Sequence, residues 1–115
     1  MRSWNACGAI TRRSAHPSPA CRLSVPARVV ETHPDPLPGT QRLPRGLRGE
    51  WPVIPGADGR PVDLRQIPGP ESRTSDVCYL TELDEGWYAL HNTETGLGFA
   101  LAWDKRVFPH IWLWQ

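Results

Sequence analysis

Large apolar and small or polar residues alternate most regularly near the end of the chain. Leu97, Phe99, Leu101 and Trp103 are interleaved with Gly98, Ala100 and Ala102, so a strand here would carry large side chains on one face and small ones on the other. Val77–Leu83 and Trp87–His91 read as two earlier strands, separated by the turn Asp84-Glu85-Gly86, and Asn92–Gly96 supplies the next turn. After Asp104-Lys105-Arg106, Phe108–Trp114 begins a last strand with Pro109 near its start. Four strands joined by short turns predict an antiparallel meander. Both faces of the final strand are apolar, which predicts a strand covered on both sides in a longer polypeptide. Left open, it predicts self-association through an exposed edge strand, or a molten chain.

Upstream the pattern weakens. Leu23, Val25, Val29 and Val30 predict a short extended segment over Cys21 to Val30, interrupted at Pro26. Glu31 to Trp51 is rich in Pro, Gly and Arg and reads as a long surface excursion. Trp51-Pro52-Val53-Ile54-Pro55 is expected to tuck one anchor into the core, Asp58-Gly59 marks a turn, and Val62-Asp63-Leu64 reads as a brief strand. No stretch carries a helical stripe. The expected class is all-β, with a long Pro-rich N-terminal part.

Composition sharpens this division. Twelve of the thirteen prolines lie between Pro17 and Pro70, and four of the six tryptophans lie between Trp87 and Trp114. The length of 115 residues suits one small domain. Residues 1–22 hold four arginines and no acid, leaving nine basic against twelve acidic residues in the remainder. That body lacks the basic face of a duplex nucleic-acid binder. No apolar run is long enough for a membrane span, and the N-terminus lacks a signal-peptide core. Three cysteines, Cys7, Cys21 and Cys78, without metal-like spacing read as reduced thiols in a cytoplasmic protein.

Gly96-Leu97-Gly98-Phe99-Ala100-Leu101-Ala102-Trp103 and Phe108-Pro109-His110-Ile111-Trp112-Leu113-Trp114 together resemble the aldose 1-epimerase (galactose mutarotase-like) superfamily. Its bacterial branch carries Gly-x-Gly-Phe-x-Leu-x-Trp followed by Phe-Pro-x-x-Trp-x-Trp. Thr74-Ser75-Asp76, Glu85-Gly86-Trp87-Tyr88 and Cys21–Ala27 fit as well, so the resemblance covers about residues 21–115. It implies part of a β-supersandwich, with 21–115 an incomplete mutarotase-like domain from the family's later half.

Residues 1–20 do not fit the family. They read either as a disordered arm or as an out-of-frame segment. With ordinary GC-rich codons, reading from the third base of Ala9 gives His-His-Pro-Ala-Phe-Gly-Ala-Pro-Phe-Ala, and the family has a Gly-His-His-Pro segment at this place. The frame hypothesis predicts those codons in the gene; a gene sequence without them ends it.

The resemblance implies sugar anomer interconversion, in which a base takes the anomeric hydroxyl proton while an acid protonates the ring oxygen. The family uses a carboxylate and a histidine, and needs no metal or cofactor. Its histidine belongs to the upstream His-Pro segment and its glutamate to a strand beyond the matched region. The chain is therefore expected to be catalytically incomplete, with no catalytic pair assigned and a hexose or related sugar as ligand. Asp76 matches a family aspartate that binds sugar hydroxyls; otherwise it caps a turn. His110, Trp112 and Trp114 share one face of the last strand, where the rings either stack on a sugar or form sandwich core. His33-Pro34 reads as loop, His91 as a strand-end surface residue, and Arg60 and Arg65 as side chains within reach of a sugar phosphate. A noncatalytic carbohydrate-binding β module, or a truncated product without function, are the rival readings.

Overall fold

The computed structural model describes residues 21–115; the expectations for residues 1–20 lie outside them. The sheets are antiparallel and no α-helix occurs among the described residues. No helix there is long and apolar enough to cross a membrane.

Alternation sets the first strand. In β1 (Cys21–Ser24), Cys21 and Leu23 are buried while Arg22 and Ser24 are exposed. Pro26 cannot donate to a ladder, and the chain crosses there to a second sheet, where β2 (Val29–Thr32) begins. Val25 and Ala27 enter the core during this crossing. β3 (Arg48–Glu50) pairs with β2, β4 (Val53–Pro55) forms a hairpin with β5 (Pro61–Asp63), and β6 (Gln66–Ile67) returns to pair with β1. A 3-10 turn at Pro70–Ser72 precedes β7 (Val77–Thr81), β8 (Trp87–Asn92), β9 (Gly98–Ala102) and β10 (Ile111–Trp114). The first sheet runs β6-β1-β8-β9 and the second β10-β7-β2-β3.

The four late strands are therefore not a meander. Only β8 and β9 are hairpin neighbours; β7 pairs with β2 and β10. The turn after β7 is a crossing between layers. Glu82 adopts φ 51°, Leu83 drops into the core, and Asp84 N–H donates to Pro26 O at 2.8 Å. A buried leucine at the bend favours the crossing, because it fills the space between the sheets. The Glu31–Trp51 stretch is also less of an excursion than its composition predicts: it contains the end of β2, all of β3, and Leu43, which is buried in the core.

Leu23, Val30, Ile54, Leu64, Cys78 and Leu80 belong to one buried cluster drawn from both sheets and the hairpin. β2 and β7, central in the second sheet, are buried on both faces except at Glu31 and Tyr79. The first sheet extends further than the second covers. In β8, Tyr88 and Leu90 pack against the core, while Leu101 and Phe99, their cross-strand partners in β9, remain 48% and 51% exposed. The large residues of β9 thus share one face, as the alternation predicts; that face points inward yet has no layer above it.

The cysteines depart from the all-reduced expectation. Cys21 is disulfide-bonded, whereas Cys78 is a free thiol, 1% exposed. Burial, reinforced by the Asp76 charge, pushes the Cys78 thiol up to about 12. Below pH 9.0, its ordinary value, the thiol is protonated both folded and unfolded. Above that, the unfolded chain ionises first and stability falls, by up to about 1.4 kcal/mol per pH unit. Urea denaturation at pH 8 and pH 10 should show a loss in the native sequence that is about 1.4 kcal/mol smaller in Cys78→Ala; equal losses would contradict the assignment.

Candidate functional site

Asp76 precedes β7 and is 4% exposed. Its side chain holds a segment far away in sequence. The backbone N–H groups of Arg42 and Leu43 donate to Oδ1 at 3.0 and 3.1 Å, and Arg42 Nε donates to Oδ2 at 3.2 Å. Backbone bonds to Gln115, from Asp76 N at 2.7 Å and to Asp76 O at 2.9 Å, extend the β7–β10 pairing by one residue. Arg42 Nη2 donates to Gln115 Oε1, and Gln115 Nε2 donates to Leu64 O at 3.0 Å. The carboxylate is thus occupied by protein donors and braces the 42–43 backbone, a longer reach than the local turn cap of the alternative reading.

The aromatic residues are arranged differently. β10 pairs with β7 so that Ile111 and Leu113 face Leu80 and Cys78 and reach the core, while Trp112 stands opposite Tyr79 and Trp114 opposite Val77. Trp112 and Trp114 are 65% and 69% exposed. They are therefore surface rings in this structure, and the leucine and isoleucine occupy the core positions. Tyr79 meets Trp112 edge-on, with centroids 5.3 Å apart and planes at 81°. His33 lies 6.2 Å from Tyr79 on the other side, its Nδ1 accepting from Asp35 N–H at 3.1 Å. Three rings from separate parts of the chain so form a row across the second sheet, with Trp114 beside it. His110 is exposed just before β10. His91 is exposed in β8, as expected of a strand-end surface residue.

Sequence reasoning missed Tyr79 and His33. Tyr79 carried one local signal, an outer-face position between Val77 and Thr81. Its register against Trp112 is a tertiary fact.

A separate cleft of about 380 Å³ is lined by Arg42, Val62, Asp63, Gln66, Glu71 and Ser72 among others. It contains none of the four residues singled out from the sequence, and no histidine lines it. Arg42 connects its wall to Asp76. The Arg65 guanidinium, 2.8 Å from Asp63 Oδ2, holds the Asp63 carboxyl below the ordinary carboxylate range. Arg60 lies 4.0 Å from Asp58, so both arginines noted for a sugar phosphate sit beside acids. No group of three or more His, Cys, Asp or Glu residues among the described ones has the arrangement of a metal site.

No family model, curated protein or solved structure matches the chain.

Removing the Asp76 carboxylate strands two backbone donors and a partly buried guanidinium. Asp76→Ala should therefore lower unfolding free energy by about 3 kcal/mol in urea titrations. A loss below about 0.5 kcal/mol, the range of an ordinary surface substitution, would rule out the bracing role.

Proposed function

We propose that this chain is a carbohydrate-binding, catalytically incomplete β-sandwich of the aldose 1-epimerase kind, taking a hexose or related sugar against the aromatic face of β10. The observation that carries the reading is the exposure of Trp112 and Trp114 on one strand, with Tyr79 set against the edge of Trp112. One face of a pyranose presents C–H groups, which are apolar and slightly positive, and an indole face is apolar and negative. The two stack without any charged partner. The β7–β10 ladder fixes the backbone beneath both indoles and the Tyr79 edge contact holds the Trp112 ring, which lowers the ordering cost at binding. His110, exposed just before β10, is the polar group for hydroxyls at the rim.

Mutarotation asks for more. A base and an acid must meet the hemiacetal from opposite sides. The cleft offers the carboxylates of Asp63 and Glu71, with Asp63 engaged by Arg65, and the His33 ring serves its own turn and the aromatic row. Asp76, the family-matched sugar ligand, spends its oxygens on Arg42 and Leu43. These placements favour holding a sugar over turning it over.

Titration with D-glucose and D-galactose should change tryptophan fluorescence with Kd on the order of millimolar, and Trp112→Ala or Trp114→Ala should abolish the change. No response to either sugar, or a response indifferent to both substitutions, would overturn the proposal in favour of a product without a binding role. In an NMR anomer-exchange assay the chain should leave the buffer rate unchanged; acceleration would show a complete catalytic pair.

A further inference from the structure

We infer that β9 is a dimerisation edge, on which a second copy of this chain pairs antiparallel about a two-fold axis at Ala100, joining two four-stranded sheets into one of eight strands.

Backbone direction comes first. Leu97 O accepts from Asn92 N–H at 2.8 Å and Trp103 N–H donates to Gly86 O at 2.8 Å. Odd-numbered residues of this stretch therefore turn their N–H and C=O toward β8. The alternation of an antiparallel ladder then turns those of Gly98, Ala100 and Ala102 outward. Among the described residues nothing pairs with that edge, because β9 is the last strand of its sheet.

Side chains decide the partner. Residues directly opposite across an antiparallel pair lie on the same face. A two-fold axis at Ala100 sets Gly98 against Ala102 and Ala100 against its own copy, so only small groups meet on the outer face. On the inner face it sets Phe99 against Leu101 and Leu97 against Trp103. The strand is thus complementary to itself in both rows. Each copy contributes three outward N–H and three outward C=O groups, making six intermolecular hydrogen bonds. From Gly96 to Trp103 there is no charged residue or proline of the kind that blocks edge pairing.

The surface left uncovered beside this edge is apolar. Leu97, Phe99, Leu101 and Phe108 are 66%, 51%, 48% and 64% exposed. At roughly 150–250 Å² for a large aromatic side chain and less for a leucine, their exposed portions and the strand between them offer at most about 600 Å² per copy, short of the ~800 Å² per partner of a standard interface and in the range of a weaker, concentration-dependent dimer. Of the other sheet edges, β3 and β6 are only three and two residues long, and β10 is the poorer site. Gln115 bonds toward β7, so by the same alternation Trp112 and Trp114 carry the outward backbone groups of a shorter strand, and Pro109 stands just before it.

Sedimentation velocity on the full chain should show a dimer at micromolar concentration. Ala100→Pro removes an outward N–H and wedges a ring into the edge while sparing every bond to β8. It should raise the dimer Kd at least about a hundredfold, with a far-UV circular dichroism spectrum like that of the native sequence. Phe99→Ser should weaken the dimer in the same direction, and Trp112→Ser should leave it intact. A native chain that stays monomeric at tens of micromolar, or that forms open-ended aggregates in place of a dimer, overturns the inference. So does an Ala100→Pro dimer of unchanged affinity, or dissociation by Trp112→Ser alone.

Discussion

The structure depends on one apolar cluster shared by two sheets of unequal reach. Val30, Cys78 and Leu80 from the second sheet meet Leu23 from the first, with Ile54 and Leu64 closing the space from the β4–β5 side. Burial of this kind is worth roughly 1.5–3 kcal/mol for each large side chain fully removed from water, and it decides where each connection must go. The chain changes layer after β1, after β3 by way of the β4–β5 hairpin, after β6, after β7 and after β9, and the crossings after β1 and β7 carry core residues with them: Val25 and Ala27, then Leu83. Where the second sheet stops, the first continues, and the inner row of β9 is left in solvent. The exposed apolar surface is thus a consequence of layer mismatch, not of a strand with mixed faces.

Polar closure works at the other side of the sandwich. Asp76, Arg42 and Gln115 tie the 42–43 segment, the start of β7, the end of β10 and the carbonyl of Leu64 into one network. No buried side-chain nitrogen or oxygen among the described residues lacks a partner, which is the condition for such a network to stabilise a fold. The same network presents the guanidinium of Arg42 at the cleft wall and seats β10 against β7. The aromatic face therefore rests on a strand held by hydrogen bonds at one end and by Ile111 and Leu113 beneath it.

Local pattern made much of this legible. Period-two alternation located β8, β9 and β10 to within a few residues, and the shared face of Leu97, Phe99, Leu101 and Trp103 in β9 could be read from their spacing alone. What alternation could not give was the layer to which each strand belongs. Asp84-Glu85-Gly86 has the composition of a hairpin turn, but Leu83 before it is a core residue, and its burial converts the turn into a crossing. β3 was hidden because Arg48-Gly49-Glu50 has no apolar alternation; it is a strand by virtue of pairing with Val29, Val30 and Glu31. At the candidate site, the shared face of Trp112 and Trp114 was readable. Their exposure was not, since a tryptophan strand of this composition fits a core equally well. Asp76 was legible as important and illegible in its role, because its partners lie 33 and 34 residues away. The family resemblance rests on the motifs of residues 21–115, and the all-β antiparallel architecture is the coarser fact that stands beside it.

The central physical claim is that a single core, built from the middle strands of both sheets, orders the described chain despite its uncovered strands. Residue-resolved amide hydrogen exchange tests it most directly. The slowest amides should be those of Glu31 in β2, Tyr79 in β7 and Ala89 in β8, whose ladders join middle strands, outlasting the β4–β5 hairpin by at least about a hundredfold, as cooperative opening of a core requires. Rapid exchange of all amides within the dead time, the behaviour of a molten chain, would contradict the account.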